Sequence, residues 1–141
     1  MKNNATVKFT SLSQNEGFAR ICVSAFLAPL NPTISELADI KTAVSEAVTN
    51  SIVHGYPDSL GEIEMRLYSA DNLVKIEIVD YGVGIDDVEK ARQPFYTTCS
   101  DGTRSGMGFM VMESFMDYIS VVSALDEGTR VVMEKRIGEK N

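Results

Sequence analysis

Two predicted strands in the middle of the chain restrict its fold more than any other feature. Residues 62–68 alternate strictly between polar and apolar side chains, with the period of two that is typical of a β-strand with one buried face, and residues 73–79 are predicted to form a second strand. Asp71 and Asn72, which lie between them, have the chemistry of a tight turn. The two strands are therefore predicted to pair as an antiparallel hairpin, and the apolar face of their sheet must be covered by another layer.

The flanking sequence supplies helices for that layer. The other predicted elements are, in chain order, a strand at 7–11, a helix ending before Pro29, a helix from Thr33 to Gly55, a short helix at 86–93, a helix after Gly108, and strands at 118–123 and 129–135. Ser13 and Glu16 have the spacing of a capping box at the start of the first helix. Successive hairpins and grouped helices predict an α+β fold, a two-layer α/β sandwich with a mostly antiparallel sheet and helices on one face. Residues 1–141 are predicted to form a single domain, because no linker or repeat divides them.

The composition limits the partners and the compartment. The chain has 141 residues, of which 44% are hydrophobic and 23% charged, and its formal net charge is −7. An acidic protein of this kind gains nothing from counterion release, so neither nucleic acid nor an anionic membrane is expected as a direct partner. No signal peptide and no apolar run of membrane-spanning length is evident, which predicts a cytoplasmic protein.

A polar stripe runs along the end of the second predicted helix. Glu46, Asn50 and His54 are four residues apart, so their side chains would lie one above another, with apolar residues on the opposite side. A carboxylate one turn before a carboxamide can supply a general base and a neutral oxygen ligand for a hard cation. The alternative is an ordinary solvated helix face, and the segment alone does not decide between the two.

A glycine-rich segment follows the second strand of the hairpin. Asp80, Gly82 and Gly84 lack the third glycine that a dinucleotide-binding fingerprint requires. The glycines would let the backbone approach a flat ligand, and Asp80 could accept a hydrogen bond from an amino group on it. A strand that ends in a tight turn is the alternative.

A second glycine-rich segment lies where a long loop becomes the third helix. The backbone N–H groups of Gly106 and Gly108 could point at phosphates, with Arg104 as a charge-assisted donor; a flexible helix start is the alternative. The preceding residues, about 86–105, are long for a connection in a compact domain, as lids and binding loops often are.

Taken in order, these segments resemble the motifs of the GHKL (Bergerat-fold) ATPases. The segments are Glu46-x-x-x-Asn50-x-x-x-His54, Asp80-x-Gly82-x-Gly84, Gly106-x-Gly108 and Gly128-Thr129. The resemblance extends from Thr33 to Arg136. Within the superfamily, the runs at 91–98 and 105–117 are most similar to the sporulation anti-sigma-F serine kinases.

The resemblance implies a role for each matching position. Asn50 would coordinate Mg²⁺ that bridges the ATP phosphates, Glu46 would be the general base, and Asp80 would receive the adenine amino group. The other residues implied to contact ATP are Gly82, Gly84, Thr97, Thr98, Ser105, Gly106, Met107, Gly108 and Thr129. Arg104, in a lid at about 86–105, would stabilise the γ-phosphate, and Arg20 on the first helix would contact a partner protein. His54 would be structural, because the chain has no room for a separate phospho-accepting dimerisation domain.

The family also implies the partners. A member of it would bind and inhibit a sporulation sigma factor, would phosphorylate its anti-anti-sigma partner on a serine, and would form a homodimer through the exposed face of the sheet. A stand-alone GHKL ATPase or a histidine-kinase-like ATP-binding fragment is the alternative.

Overall fold

A computed structural model of the protein describes residues 2–85 and 108–138. Five strands form one sheet: β1 (Lys2–Thr10), β2 (Glu62–Ala70), β3 (Leu73–Asp80), β4 (Tyr118–Ala124) and β5 (Gly128–Arg136). Their spatial order is β1-β2-β3-β5-β4, and every neighbouring pair is antiparallel. The helices are α1 (Asn15–Leu27), α2 (Ile34–Asn50) and α3 (Gly108–Phe115). The predicted α+β sandwich is confirmed.

Helix α2 is the central element of the helical layer. It begins with a capping box, in which the Thr33 hydroxyl accepts from the Glu36 N–H at 3.0 Å and the Glu36 carboxylate accepts from the Thr33 N–H at 2.8 Å. Helices α1 and α3 both pack against α2, and all three cover the same face of the sheet. Its Ile40, Val44 and Val48 are fully buried between the layers, and burial of each side chain contributes about 1.5–3 kcal/mol.

The first helix starts differently from the prediction. Gln14 occupies the N-cap position and makes no side-chain cap hydrogen bond, so the predicted capping box of Ser13 and Glu16 is wrong. The Glu16 carboxylate accepts instead from the Thr49 hydroxyl of α2, at 2.6 Å. Strand β1 is also longer than the predicted 7–11, because its whole length pairs in register with β2. Backbone pairing there outweighs the weak strand preference of Lys2 to Asn4.

The end of α2 changes pitch. The α-helix stops at Asn50 and continues as one π-helical turn, Ser51–Gly55, which the sequence analysis treated as regular α-helix. Four residues make about one α-helical turn, so Glu46 and Asn50 lie on the same side of the helix. His54 lies in the π-helical turn, where four residues are less than one turn, so it does not continue this row. Single π-helical turns of this kind occur frequently at functional sites.

Candidate functional site

The last two turns of α2 form one wall of the candidate site. Glu46 and Asn50 are half-buried one helical turn apart, while Val44, Ala47 and Val48 on the opposite side are fully buried in the core. The core packing fixes the rotation of the helix. The polar stripe predicted from the sequence is therefore present over these two residues.

The start of α3 lies directly against this wall. A Cβ atom added to Gly108 would stand 3.0 Å from the Asn50 Nδ2 atom and 3.2 Å from the Glu46 Oε2 atom. The first backbone N–H groups of a helix have no partner within the helix, and they carry its positive dipole end. A carboxylate, a carboxamide and a helix start thus meet at one place, which we call the phosphate end of the site after the group that the sequence analysis predicts there.

Asp80, the last residue of β3, is the centre of the other end. Its side chain is buried, with a relative exposure of 3%. The Ser51 hydroxyl donates to Asp80 Oδ2 at 2.8 Å, and the Gly82 N–H donates to Oδ1 at 3.0 Å. Because Asn50 and Ser51 are consecutive residues, the phosphate end is joined directly to this second region. We call this region the base end, after the adenine base that the sequence analysis predicts there; the name does not refer to the general base Glu46.

Burial raises the pKa of the Asp80 carboxyl, because the charged form loses its hydration. Hydrogen bonds from the Gly82 amide, the Ser51 hydroxyl and the Thr129 backbone act in the opposite direction on this pKa. The donors therefore favour the ionised carboxylate, which can only accept hydrogen bonds.

Glycines let the loop after β3 lie against the π-helical turn. A Cβ atom on Gly82 would overlap the backbone carbonyl of Gly55, and the Val83 N–H donates to that same carbonyl oxygen at 2.9 Å. Gly84 has a φ of +78°, in the left-handed region that favours glycine, and a side chain there would overlap the Ala124 carbonyl.

Thr129 closes the base end from β5. It pairs with Asp80 in the β3–β5 register and is buried. Its hydroxyl lies 2.7 Å from the Ser123 hydroxyl of β4, which also accepts from the Ile85 N–H at 2.7 Å. This network links the loop after Gly84 to the end of the sheet.

Two residues of the base end were missed by the sequence analysis. Ser51 donates to Asp80, and the Tyr56 hydroxyl accepts from the Tyr81 N–H at 2.7 Å while it donates to the Glu62 carbonyl at 2.7 Å. Ser51 is the first residue of the π-helical turn, and Tyr56 follows its last residue. Their adjacency to the Asn50 motif was a possible signal, but nothing local in the sequence indicated the change of pitch.

The structure thus brings together Glu46, Asn50 and Gly108 at one end, and Asp80, Gly82, Gly84 and Thr129 at the other. Six further predicted site residues lie outside the described residues: Thr97, Thr98, Arg104, Ser105, Gly106 and Met107. Arg20 is exposed on α1. No group of three or more His, Cys, Asp or Glu side chains able to hold a metal ion is found within residues 2–85 and 108–138.

None of the helices in the described part of the chain combines the length and the apolar character needed to cross a bilayer.

Comparison with protein families gives one match that covers most of the chain. Residues 10–135 match the model of the histidine kinase-like ATPase domain.

Curated relatives match over almost the full length. An anti-sigma F factor of Caldanaerobacter subterraneus subsp. tengcongensis is 55% identical over 136 residues, which are 96% of this chain and 95% of the relative. An anti-sigma F factor of Bacillus licheniformis is 51% identical over 140 residues, covering 99% and 96% of the two chains.

Solved structures share the fold at low sequence identity. The RsbU and RsbW domains of Rv1364c from Mycobacterium tuberculosis superpose with a TM-score of 0.70 at 19% identity, over 98% of this chain and 33% of that one. The catalytic domain of the histidine kinase ThkA gives a TM-score of 0.60 at 16% identity, over 94% and 96% of the two chains.

Proposed function

This chain belongs to the histidine kinase-like ATPase family and, within it, to the anti-sigma F factors, and from that premise we propose that it is an ATP-dependent protein serine kinase that also binds a sporulation sigma factor. Its phosphoryl acceptor is a serine of an anti-anti-sigma protein. One observation supports the proposal most directly. Glu46 and Asn50 on α2 face the start of α3, and Ser51, the next residue of the chain, donates a hydrogen bond to the buried Asp80.

The base end suits the adenine ring. Asp80 is a buried acceptor for the exocyclic amine, and Gly82 and Gly84 let the loop beside it pack closely against the backbones of Gly55 and Ala124. Thr129 lies beside Asp80 on β5 and completes the pocket. Recognition of adenine there places the triphosphate toward Asn50, because Ser51 and Asn50 are adjacent in the chain.

The phosphate end suits a magnesium nucleotide. Mg²⁺ prefers oxygen ligands and is commonly held by one or two protein groups together with substrate phosphates and water. The Asn50 carboxamide oxygen supplies such a ligand. When bound, the ion neutralises charge on the phosphates.

Glu46 is the proposed general base. In the reaction its carboxylate takes the proton of the serine hydroxyl while the serine oxygen bonds to the γ-phosphorus. The bond from the γ-phosphorus to the β,γ-bridging oxygen breaks, and ADP leaves. The helix start at Gly108 adds N–H groups near the phosphates, and we assign Thr97, Thr98, Arg104, Ser105, Gly106 and Met107 to the same phosphate contacts by their positions in the sequence.

The exposed side of α1 is the proposed protein-binding surface. Arg20 is exposed on this helix, as are Phe18 and Ile21, which are 44% and 71% exposed. A cation among exposed apolar side chains is typical of a protein interface, where Arg and aromatic residues are enriched. Both the sigma factor and the anti-anti-sigma protein are proposed to use it.

The outer face of the sheet is the proposed homodimer interface. Among residues 2–85 and 108–138 no helix covers it, yet Glu64 and Val79 are only 9% and 7% exposed there. Glu77 is paired on this face with Arg66, Lys75 and Arg130. Sedimentation equilibrium tests the proposal, and a monomer at all concentrations would refute it.

Replacement of Glu46 by Gln tests the assignment of the base. Glu46→Gln keeps the shape and polarity of the side chain, so we expect ATP binding and sigma-factor binding to remain within about twofold, while phosphorylation of candidate anti-anti-sigma proteins with labelled ATP falls at least about 100-fold. Asp39→Asn is the matched control, because it makes the same change on the same helix about two turns earlier.

Three outcomes would contradict parts of the proposal. Wild-type transfer rates in Glu46→Gln would remove the base assignment. Equal losses of phosphorylation in Glu46→Gln and Asp39→Asn would mean that both substitutions disturb α2, which would contradict a specific role for Glu46. Rapid ATP turnover by the wild-type protein without any protein acceptor would favour a stand-alone ATPase.

A further inference from the structure

We propose that Ser51 is a positioning residue that sets the purine selectivity of the site by orienting the Asp80 carboxylate. The proposal rests on the nucleotide site proposed above and adds to it a residue outside the sequence motifs. Ser51 is the first residue of the π-helical turn, and its relative exposure is 5%. Its hydroxyl donates to Asp80 Oδ2 at 2.8 Å, in a buried contact between α2 and β3.

The Asp80 carboxylate has little unused hydrogen-bonding capacity. A carboxylate offers about four lone-pair positions. The Ser51 hydroxyl, the Gly82 N–H and the Thr129 backbone account for three of them. One position remains for a ligand. Because the terminal torsion of an Asp side chain is broad, loss of the Ser51 bond would free the carboxylate to rotate away from a single orientation.

The orientation and charge of this carboxylate decide which purine it accepts. Adenine presents an amino group at the position where guanine presents a carbonyl oxygen. An ionised Asp80 accepts from the amine and repels the carbonyl, whereas a protonated Asp80 can donate to the carbonyl. Burial already raises the pKa of Asp80, and the Ser51 bond is one of those that oppose the rise. Removal of the hydroxyl should therefore weaken adenine recognition and relax discrimination against guanine.

Titratable groups on the elements that pack near Asp80 must be distinguished from Asp80 itself. Along α2 and its π-helical turn these are Glu46 and His54, followed by Tyr56; the loops on the other side carry Tyr81 and Asp126. The neighbours of Asp80 in strand register, on β2 and β5, are both uncharged. All five titratable groups are present in both the wild-type protein and a Ser51 variant, so their contributions cancel when the two proteins are compared.

The test compares ATP and GTP binding, each with Mg²⁺, by wild-type protein, Ser51→Ala and Ser51→Thr. For Ser51→Ala near neutral pH we expect ATP affinity to fall about tenfold, equivalent to about 1.4 kcal/mol, with GTP affinity changed less than about twofold. Ser51→Thr retains a hydroxyl and should restore most of the ATP preference.

A pH series separates positioning from simple damage. The ATP preference of both proteins should decline as the pH is lowered from neutral and Asp80 becomes protonated, and the decline should begin at higher pH in Ser51→Ala. A structural defect in Ser51→Ala would instead lower the ATP and GTP affinities by the same factor and leave the pH dependence of the ATP preference unchanged.

The outcomes distinguish the two proposals. Wild-type protein that binds neither nucleotide would refute the proposed function. Wild-type protein that prefers ATP, together with a Ser51→Ala variant of the same ATP-to-GTP ratio and pH profile, would overturn the role of Ser51 alone.

Discussion

The glycines at the two ends of the candidate site face different kinds of atoms. At the base end, a Cβ atom on Gly82 would overlap the Gly55 backbone, and one on Gly128 would overlap the Asp80 backbone. At the phosphate end, a Cβ atom on Gly108 would meet only side-chain atoms of Asn50 and Glu46, at 3.0–3.3 Å. Gly82 and Gly128 of the base end thus make close contacts between backbones, although a Cβ atom on Gly55 would meet the Asp80 side chain at 3.0 Å. At the phosphate end the backbone of a helix start faces functional side chains.

This difference shows which end of the site cannot be altered without disturbing the backbone structure of the protein. Backbone atoms cannot move aside without breaking the β3–β5 pairing or the π-helical turn. Side chains at the phosphate end can adopt other rotamers at a cost of about 0.5–1.5 kcal/mol when they leave a preferred one. Substitutions of Gly82 or Gly128 at the base end should thus act on stability, and substitution of Gly108 at the phosphate end on binding.

Gly82→Ala is expected to have the largest effect. The added methyl group cannot be accommodated beside the Gly55 carbonyl, so the Val83–Gly55 hydrogen bond should be lost and the free energy of unfolding reduced by about 3 kcal/mol or more. Urea denaturation measures this loss. Gly17→Ala in α1 is the matched control, because nothing lies within 4 Å of its added Cβ atom and alanine favours a helix. If Gly82→Ala were as stable as Gly17→Ala, the contrast between the two ends would not hold.

Gly108→Ala should keep the fold and impair the phosphate end. At the first residue of α3, alanine should change the free energy of unfolding by less than about 1 kcal/mol. The methyl group should displace the Asn50 and Glu46 side chains and lower the affinity for ATP with Mg²⁺ about tenfold. Adenosine, which has no phosphates, should bind as it does to the wild-type protein. An equal loss of adenosine binding would mean that the two ends do not act separately.

The elements with a regular local pattern were predictable from the sequence. The first hairpin followed from the strict alternation of 62–68 and the turn residues after it, and the second from two strands joined through the turn residues at 126–128. The Glu46–Asn50 wall followed from helical spacing opposite an apolar stripe. The loop from Asp80 to Gly84 could be placed at a strand end because its glycines are incompatible with a strand interior. In these cases the local and the tertiary preferences agree.

The remaining features depend on contacts between distant residues. The π-helical turn has no sequence signal of its own, so the roles of Ser51 and Tyr56 could not be predicted. Glu16 shows most directly how a contact with a distant residue replaces a local hydrogen bond. Its spacing from Ser13 favours a capping box, but in the structure its carboxylate bonds to the partly buried Thr49 hydroxyl, 33 residues away. A hydrogen bond to a charged group away from water is worth more than a solvated cap.

Thr49→Val should produce the smallest effect, and it tests whether the base end depends on the contact between α1 and the wall at the phosphate end. Thr49 precedes Asn50, and its bond to Glu16 ties this wall to α1. Valine has nearly the shape and helix propensity of threonine but no hydroxyl, so we expect a loss of about 1 kcal/mol in the free energy of unfolding. Thr49→Ser, which keeps the donor, is the control and should lose less. Adenosine affinity should be unchanged, since the base end is held by its own backbone contacts. A loss of adenosine binding in Thr49→Val would show that the base end also depends on the packing of α1 against α2.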